Sequence, residues 1–212
     1  MNRLMDTSLV YLDAFLELPA ELSATVTRLN RQIVSTVGGS IDFSRGMVPH
    51  ITLYMGLFPA EELERAANGL AAIAADTSPI PLSLRGIEAG AEGYLFLNVE
   101  IGEPLRSLHD RIVAVLNPLR QGAIRRKFLD SLERFTPGER ENIMNYGFPW
   151  LLSLFRPHVT IGKTDAAAAG GVARGLTVPA ERGVATRLVL GEVGEHGTVV
   201  AARSAFDLSK AA

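Results

Sequence analysis

Two segments of this chain spell nearly the same thing. Residues 48 to 56 read VPHITLYMG and residues 156 to 163 read RPHVTIGK, so Pro-His-aliphatic-Thr-aliphatic occurs twice. With 11 Pro and 12 Thr among 212 residues, a given histidine has this flanking by chance with a probability of about 0.3% at background composition. The chain has only four histidines, and two of them carry it. The repeat is therefore a duplicated element, and it constrains the fold to one that presents the same strand twice.

The pattern around each copy supports this. SLVYLDAFLEL (8 to 18) has the length and residue types of a strand, and after Pro19 an apolar spacing of three and four (Leu22, Val26, Leu29, Ile33, Val37) predicts a helix ending at Gly38-Gly39. HITLYMGLF (50 to 58) is a strand, Leu63, Ala67, Leu70 and Ala74 mark a second helix, and IPLSLRGIEAG (80 to 90) is a third strand. The order then restarts with the alternating strand GYLFLNVEIG (93 to 102) and a helix through Leu105, Leu108, Ile112, Val115 and Leu119. The second His-x-Thr strand is followed by an Ala-rich helix (166 to 174) and two strands, 185 to 193 and 198 to 208.

Both halves thus read β-α-β-α-β, the second with one strand more. Residues 120 to 149 stand between its first helix and its His-x-Thr strand as a helical insertion, in which Thr136, Pro137 and Glu139 form a capping box. The expected architecture is α+β, a single bilobal domain over 1–212 with pseudo-twofold symmetry. Lobe one covers about 1–91, and lobe two about 92–212 with the insertion at about 120–149. The symmetry brings the two His-x-Thr strands face to face in a central cleft.

Side chains alternate faces along a strand, so His50 and Thr52 point one way while Ile51 and Leu53 point the other, and His158 and Thr160 do the same against Val159 and Ile161. Two imidazoles converging on a cleft supply a base for an attacking hydroxyl and an acid for a leaving oxygen, which is what phosphodiester cleavage requires. The threonine hydroxyls can donate to non-bridging phosphoryl oxygens.

At these residues the chain resembles the 2H phosphoesterase superfamily, which includes the 2′,5′-RNA ligase-like proteins and cyclic nucleotide phosphodiesterases and carries two H-x-[ST]-aliphatic motifs on a bilobal fold. The resemblance covers the motifs closely and nearly the whole chain in its order of elements. It implies that His50 and His158 are the catalytic pair and Thr52 and Thr160 the phosphate binders, with no metal and no cofactor. The implied activity is hydrolysis of a 2′,3′-cyclic phosphate on a nucleotide or RNA 3′-end. Which histidine is acid and which base does not follow from the sequence. The chain departs from the family in its insertion, in the shorter LYMG after the first motif, and in Gly162-Lys163 after the second, where Lys163 stands in for an arginine. NYGFPWLLSLFRPHVTIG resembles the lead into the second motif in a subgroup associated with phosphonate metabolism. Hydrolysis of another small cyclic phosphate is therefore an alternative, as is a binder of nucleotides or RNA ends without turnover.

Several other residues are candidates for substrate contact. Tyr54 alternates onto the face of His50 and Thr52. Arg125, Arg126 and Lys127 can reach a phosphate-rich substrate at the cleft mouth, and Tyr146, Phe148 and Trp150 can stack a base. His109, beside Asp110 and Arg111, and His196 in a turn are expected at the surface. A net charge of −2 gives no global field for polyanions, so a small substrate is favoured over long RNA. The absence of cysteine excludes thiolate sites and a cysteine nucleophile. Two histidines each flanked on its face by threonine make a poor metal-ligand set. Asp6, Asp13 and Glu17 break the N-terminal apolar run, so neither a signal peptide nor a membrane span is expected, and the protein is read as a cytoplasmic monomer.

Overall fold

The computed structural model describes residues 8–178 and 180–210. Part of the N-terminal leader reading rests on residues 1–7, which lie outside the described residues. Strand β1 (Leu9–Glu17) is followed two residues on by Pro19, which stands at the N-cap of helix α1 (Ala20–Val37). Leu22, Val26, Leu29 and Ile33 of this helix are buried, as their spacing predicts, and each contributes about 1.5–3 kcal/mol by leaving water. The helix stops where Gly38 adopts φ 72° and its N–H returns to the Val34 carbonyl.

Strand β2 (His50–Pro59), helix α2 (Leu63–Ala75) and strand β3 (Ile80–Ala89) complete the first half. The second half runs β4 (Tyr94–Val99), α3 (Glu103–Leu119), the short α4 (Arg126–Leu129), α5 (Pro137–Tyr146), β5 (His158–Lys163) and α6 (Ala166–Gly175). It ends with β6 (Arg182–Ala185), β7 (Arg187–Val193) and β8 (Val199–Asp207). The capping box of α5 is present, with the Thr136 N–H donating to Glu139 Oε2 at 2.9 Å and the Glu139 N–H to Thr136 Oγ1 at 3.3 Å. The strand β6 has no separate counterpart in the sequence reading, where Arg182–Val184 precede the run 185 to 193 and Ala185 opens it.

These strands form two four-stranded antiparallel sheets, in the orders β2-β1-β7-β8 and β5-β4-β3-β6. The α+β architecture and its pseudo-symmetry are as expected, but the lobes are not the sequence halves. A boundary near 91 cuts through the short connection between β3 and β4, which pair as a hairpin through Ile87 and Leu97, while β7 returns to pair with β1 through Phe15 and Val189. Strands adjacent in sequence pair readily when their connection is short, and that local pairing overrides the tandem division. The helices are exchanged as well, since α1 packs on β5 and α3 on β2.

The exchange is sealed by two buried polar side chains. On α1, Asn30 donates its Nδ2 to the carbonyls of Ile41 and Ile161, each at 2.9 Å. On α3, His109 donates Nδ1–H to the carbonyl of Leu53 at 2.8 Å, and its Nε2 accepts the N–H of Leu152 at 2.8 Å. Ile161 follows Thr160 and Leu53 follows Thr52, so each His-x-Thr strand is gripped at its equivalent carbonyl by the helix of the other half. His109 has no solvent exposure, against the surface position expected for it. It stands four residues after Leu105 and four before Val113, both buried, and so lies on the apolar face of its helix. With a donor and an acceptor both satisfied it is held as the neutral ring, and burial pushes its pKa down to about 4.

The insertion is clamped to the fold by Arg120, which is buried at the end of α3. Its guanidinium donates to the carbonyls of Ala123 and Asn145 and to Asn117 Oδ1, so one side chain joins the two ends of the segment. Gly147 at φ 76° ends α5, and a Cβ there would stand 3.0 Å from Arg120 Cδ, so both the backbone turn and the guanidinium stem call for glycine.

Candidate active site

The two His-x-Thr strands are the edge strands β2 and β5 of their respective sheets, and they meet across one cavity. His50, Thr52, His158 and Thr160 all line it. In each half the histidine Nδ1 lies 2.7 Å from the carbonyl two residues earlier, Val48 for His50 and Arg156 for His158. A carbonyl can only accept, so each Nδ1 carries a proton and Nε2 is the ring nitrogen not tied to the backbone. A phenylalanine tilts against each ring, Phe15 on His50 with centroids 5.0 Å apart and Phe96 on His158 at 4.3 Å. The interplanar angles are 55° and 53°, so the two half-sites repeat in detail.

One contact breaks the repeat. The His50 Nε2 stands 3.3 Å from Oδ2 of Asp13, a fully buried residue on β1, and the Thr52 hydroxyl donates to the same Oδ2 at 2.6 Å. Burial holds the Asp13 carboxyl above its ordinary range, against the opposing pull of His50 and Thr52. Burial acts to lower His50, but the hydrogen bond and charge of Asp13 outweigh it, and the imidazolium persists above the usual histidine range. His158 goes the other way: burial, the nearby His50 and Arg156 lower it to about 4, against the raising effect of its bond to the Arg156 carbonyl.

The walls are aromatic and basic. The insertion contributes Arg125, Lys127 and Phe128, and its C-terminal side Phe148 and Trp150. Trp150 donates Nε1–H to Glu139 Oε1 at 2.9 Å, so the carboxylate that caps α5 also fixes this ring. The Arg125 guanidinium lies 4.0 Å from the centroid of the Tyr11 ring and bridges the insertion to β1. Tyr94 and His196 complete the opposite wall with their rings edge to face. Among the described residues no group of three or more His, Asp or Glu side chains is arranged to hold a metal ion.

Of the residues singled out in the sequence, the cavity gathers the two histidines of the motifs, the two threonines, Arg125, Lys127, Phe148 and Trp150. Tyr54 is not among the lining residues: it is fully buried, and its hydroxyl reaches the Tyr146 carbonyl at 2.8 Å and Asn117 Oδ1 at 3.1 Å. The cause is a β-bulge. Phe15 pairs with Thr52 and Ala14 with Tyr54, leaving Leu53 unopposed, so the alternation slips by one and Met55 takes the cavity face instead. Tyr146 serves the core through its carbonyl, and Arg126 points outward to Asp130 at 3.4 Å. Lys163 sits outside the lining, with its ammonium 4.8 Å from the Tyr94 ring centroid. His196 was expected at the surface, but it lines the cavity.

The sequence reading missed Asp13, Tyr11, Tyr94, Phe96 and Arg156. A signal existed for the first two. Tyr11, Asp13 and Phe15 alternate along β1, so one buried face carries a carboxylate between two aromatics.

A family model described as the 2'-5' RNA ligase superfamily matches residues 18–179. Among solved structures, the chain is similar to TT0787 of Thermus thermophilus, with 20% identity over 93% of this chain and 97% of that one and a TM-score of 0.60. It is also similar to E. coli LigT in apo form, with 15% identity over 96% of this chain and all of that one and a TM-score of 0.60. The same holds for E. coli LigT complexed with 3'-AMP, at 16% identity, the same coverage and a TM-score of 0.60. No curated protein matches the chain.

Proposed function

Because the chain belongs to the 2'-5' RNA ligase superfamily of phosphoesterases, we propose that it is a phosphodiesterase that opens a 2′,3′-cyclic phosphate on a nucleotide or RNA end by two-histidine acid–base catalysis. The observation that carries this reading is the pair of imidazoles, one from each half, each with Nδ1 tied to a backbone carbonyl and its ring lining the same cavity, the His50 Nε2 being shared with Asp13. One Nε2 takes a proton from water as its oxygen bonds to phosphorus, and the other gives its proton to the ribose oxygen as the ring P–O bond breaks. Water is added across that bond, and the proton returns between the rings through solvent.

The Thr160 hydroxyl would donate to a non-bridging oxygen as charge builds there. The Thr52 proton is directed to Asp13, so Thr52 would serve the phosphate as a donor only once Asp13 is itself protonated. Arg125, Lys127 and Arg156 on the cavity walls favour an anion, and Phe128, Phe148 and Trp150 offer faces to a base. Four of these six residues come from the clamped insertion, which favours a mononucleotide or a chain end over a long polymer. The 3'-AMP held by LigT has the chemistry expected of a ring-opening product.

Incubating the protein with the four 2′,3′-cyclic mononucleotides and a short RNA ending in a cyclic phosphate, in the presence of a chelator, tests the reading. Turnover that survives chelation is expected, and the released isomer identifies the leaving oxygen. Loss of turnover on chelation, or no turnover of any of the five by folded protein, would overturn it.

A further inference from the structure

We propose that Asp13 is a positioning residue that keeps the proton of the two-histidine site on His50, so that His50 donates to the leaving oxygen and His158 accepts from the attacking water. The assignment of acid and base rests on the functional reading above; the placement of the proton does not.

The geometry is one-sided. Two groups converge on a single carboxylate oxygen, the Thr52 hydroxyl at 2.6 Å and His50 Nε2 at 3.3 Å. The Thr52 hydroxyl donates to that oxygen, and the 3.3 Å from it to His50 Nε2 is the approach an imidazolium N–H makes to a carboxylate. The other oxygen, Oδ1, is buried with no hydrogen-bond partner among the described residues. A carboxylate so enclosed is costly unless a positive group faces it, and His50 is the group in contact. The Thr52 bond fixes which way the carboxylate points and hence which nitrogen it meets.

The pseudo-symmetry supplies an internal control. Asp13 pairs with Met55 two ladder positions beyond the Phe15–Thr52 pair, and on the other sheet Tyr94 pairs with Lys163 two positions beyond Phe96–Thr160. Where the first half has a carboxylate, the second has a phenol. The other charged and titratable groups facing the cavity are Tyr11, Arg125, Lys127, Arg156 and His196. Arg125, Lys127 and Arg156 bring positive charge to the cavity, Arg156 in an ion pair with Glu88 at 2.8 Å, and among the described residues no carboxylate touches His158, whereas Asp13 faces His50 directly.

The test is a pH titration of the histidine rings by 15N NMR, in the wild-type protein and in Asp13→Asn, which keeps the shape of the side chain. In the wild type, His158 is expected to be the neutral Nδ1–H tautomer at pH values where His50 still carries both protons. In the variant, the His50 midpoint should fall by at least one pH unit, a tenfold loss of proton affinity, with that of His158 little changed. The alkaline limb of kcat/KM should fall with it while the acid limb stays, a split that a merely structural role would not produce. A wild-type protein in which His158 holds its proton to higher pH than His50 overturns the proposal, and so does a folded variant whose His50 midpoint does not move. If Asp13→Asn does not fold, the order of the two wild-type midpoints decides. If no cyclic phosphate is turned over, the functional reading fails while the ring titration still decides where the proton sits.

Discussion

The Nδ1 of His109 lies 2.8 Å from the carbonyl of Leu53, and its Nε2 lies 2.8 Å from the N–H of Leu152. One buried ring therefore joins the residue after Thr52 to the segment leading into the second His-x-Thr strand. Replacing it by alanine leaves a buried carbonyl and a buried N–H unpaired and removes a ring stacked 3.8 Å from Phe155. His109→Ala is expected to lose about 2–5 kcal/mol of stability, measured by denaturant unfolding. A loss under about 0.5 kcal/mol would contradict the linking role.

The same ring makes stability depend on pH. Its folded pKa, about 4, lies below the ordinary histidine value of 6.5, so between those values the unfolded chain binds the extra proton. Its contribution is complete above pH 6.5 and is lost as pH falls towards 4, amounting to about 3 kcal/mol. His109→Gln should flatten the stability profile across this window by one proton. A profile unchanged by that substitution would place the acid sensitivity elsewhere.

Glu139 caps α5 and accepts the indole N–H of Trp150. Glu139→Ala is expected to cost about 1 kcal/mol from the cap and to free the indole at the cavity wall. The chain has one tryptophan, so selectively excited tryptophan emission reports on this site alone. The variant should show altered emission and a raised KM with kcat largely retained. Emission and KM both equal to wild type would remove Trp150 from substrate binding.

For activity, His158 lowered to about 4 and His50 raised above the ordinary histidine range set the two limbs of the profile. The base must be neutral, so kcat/KM should rise as pH climbs through about 4. The acid must keep its proton, so the rate should fall only above the usual histidine range. A flat profile between those limits and beyond them would contradict acid–base chemistry by these rings.

Tyr54 and Arg125 separate what local pattern shows from what it hides. Strict alternation places Tyr54 beside Thr52, but a single unopposed residue, Leu53, reverses the face. Tyr54→Phe should therefore cost about 1 kcal/mol of stability from the lost hydroxyl bond with little change in kcat/KM. Arg125→Ala should weaken substrate binding while Arg126→Ala does not.

The elements themselves were legible because apolar period and Pro/Gly punctuation are local properties. Leu22, Val26, Leu29 and Ile33 mark α1 whatever it packs on, and the duplicated motif marks β2 and β5 as equivalent. What they pack on is not local. The exchange of α1 and α3 between sheets, and the return of β7 to β1, depend on pairings between residues far apart in sequence such as Phe15 and Val189. Asp13 was visible as a charge in an apolar run, and its importance depends on which face of β1 turns to His50. The same holds for His109, whose helix position marks it as buried only once the apolar face is traced through it.

Whether the two imidazoles act as one catalytic pair is tested most directly by kcat/KM on the best 2′,3′-cyclic nucleotide for His50→Ala, His158→Ala and the double variant, with folding checked by thermal melting. Each single variant should lose about 10²–10⁴-fold, and the double variant little more than either, because the two groups act in one step. A folded single variant that keeps activity near wild type would contradict a paired mechanism.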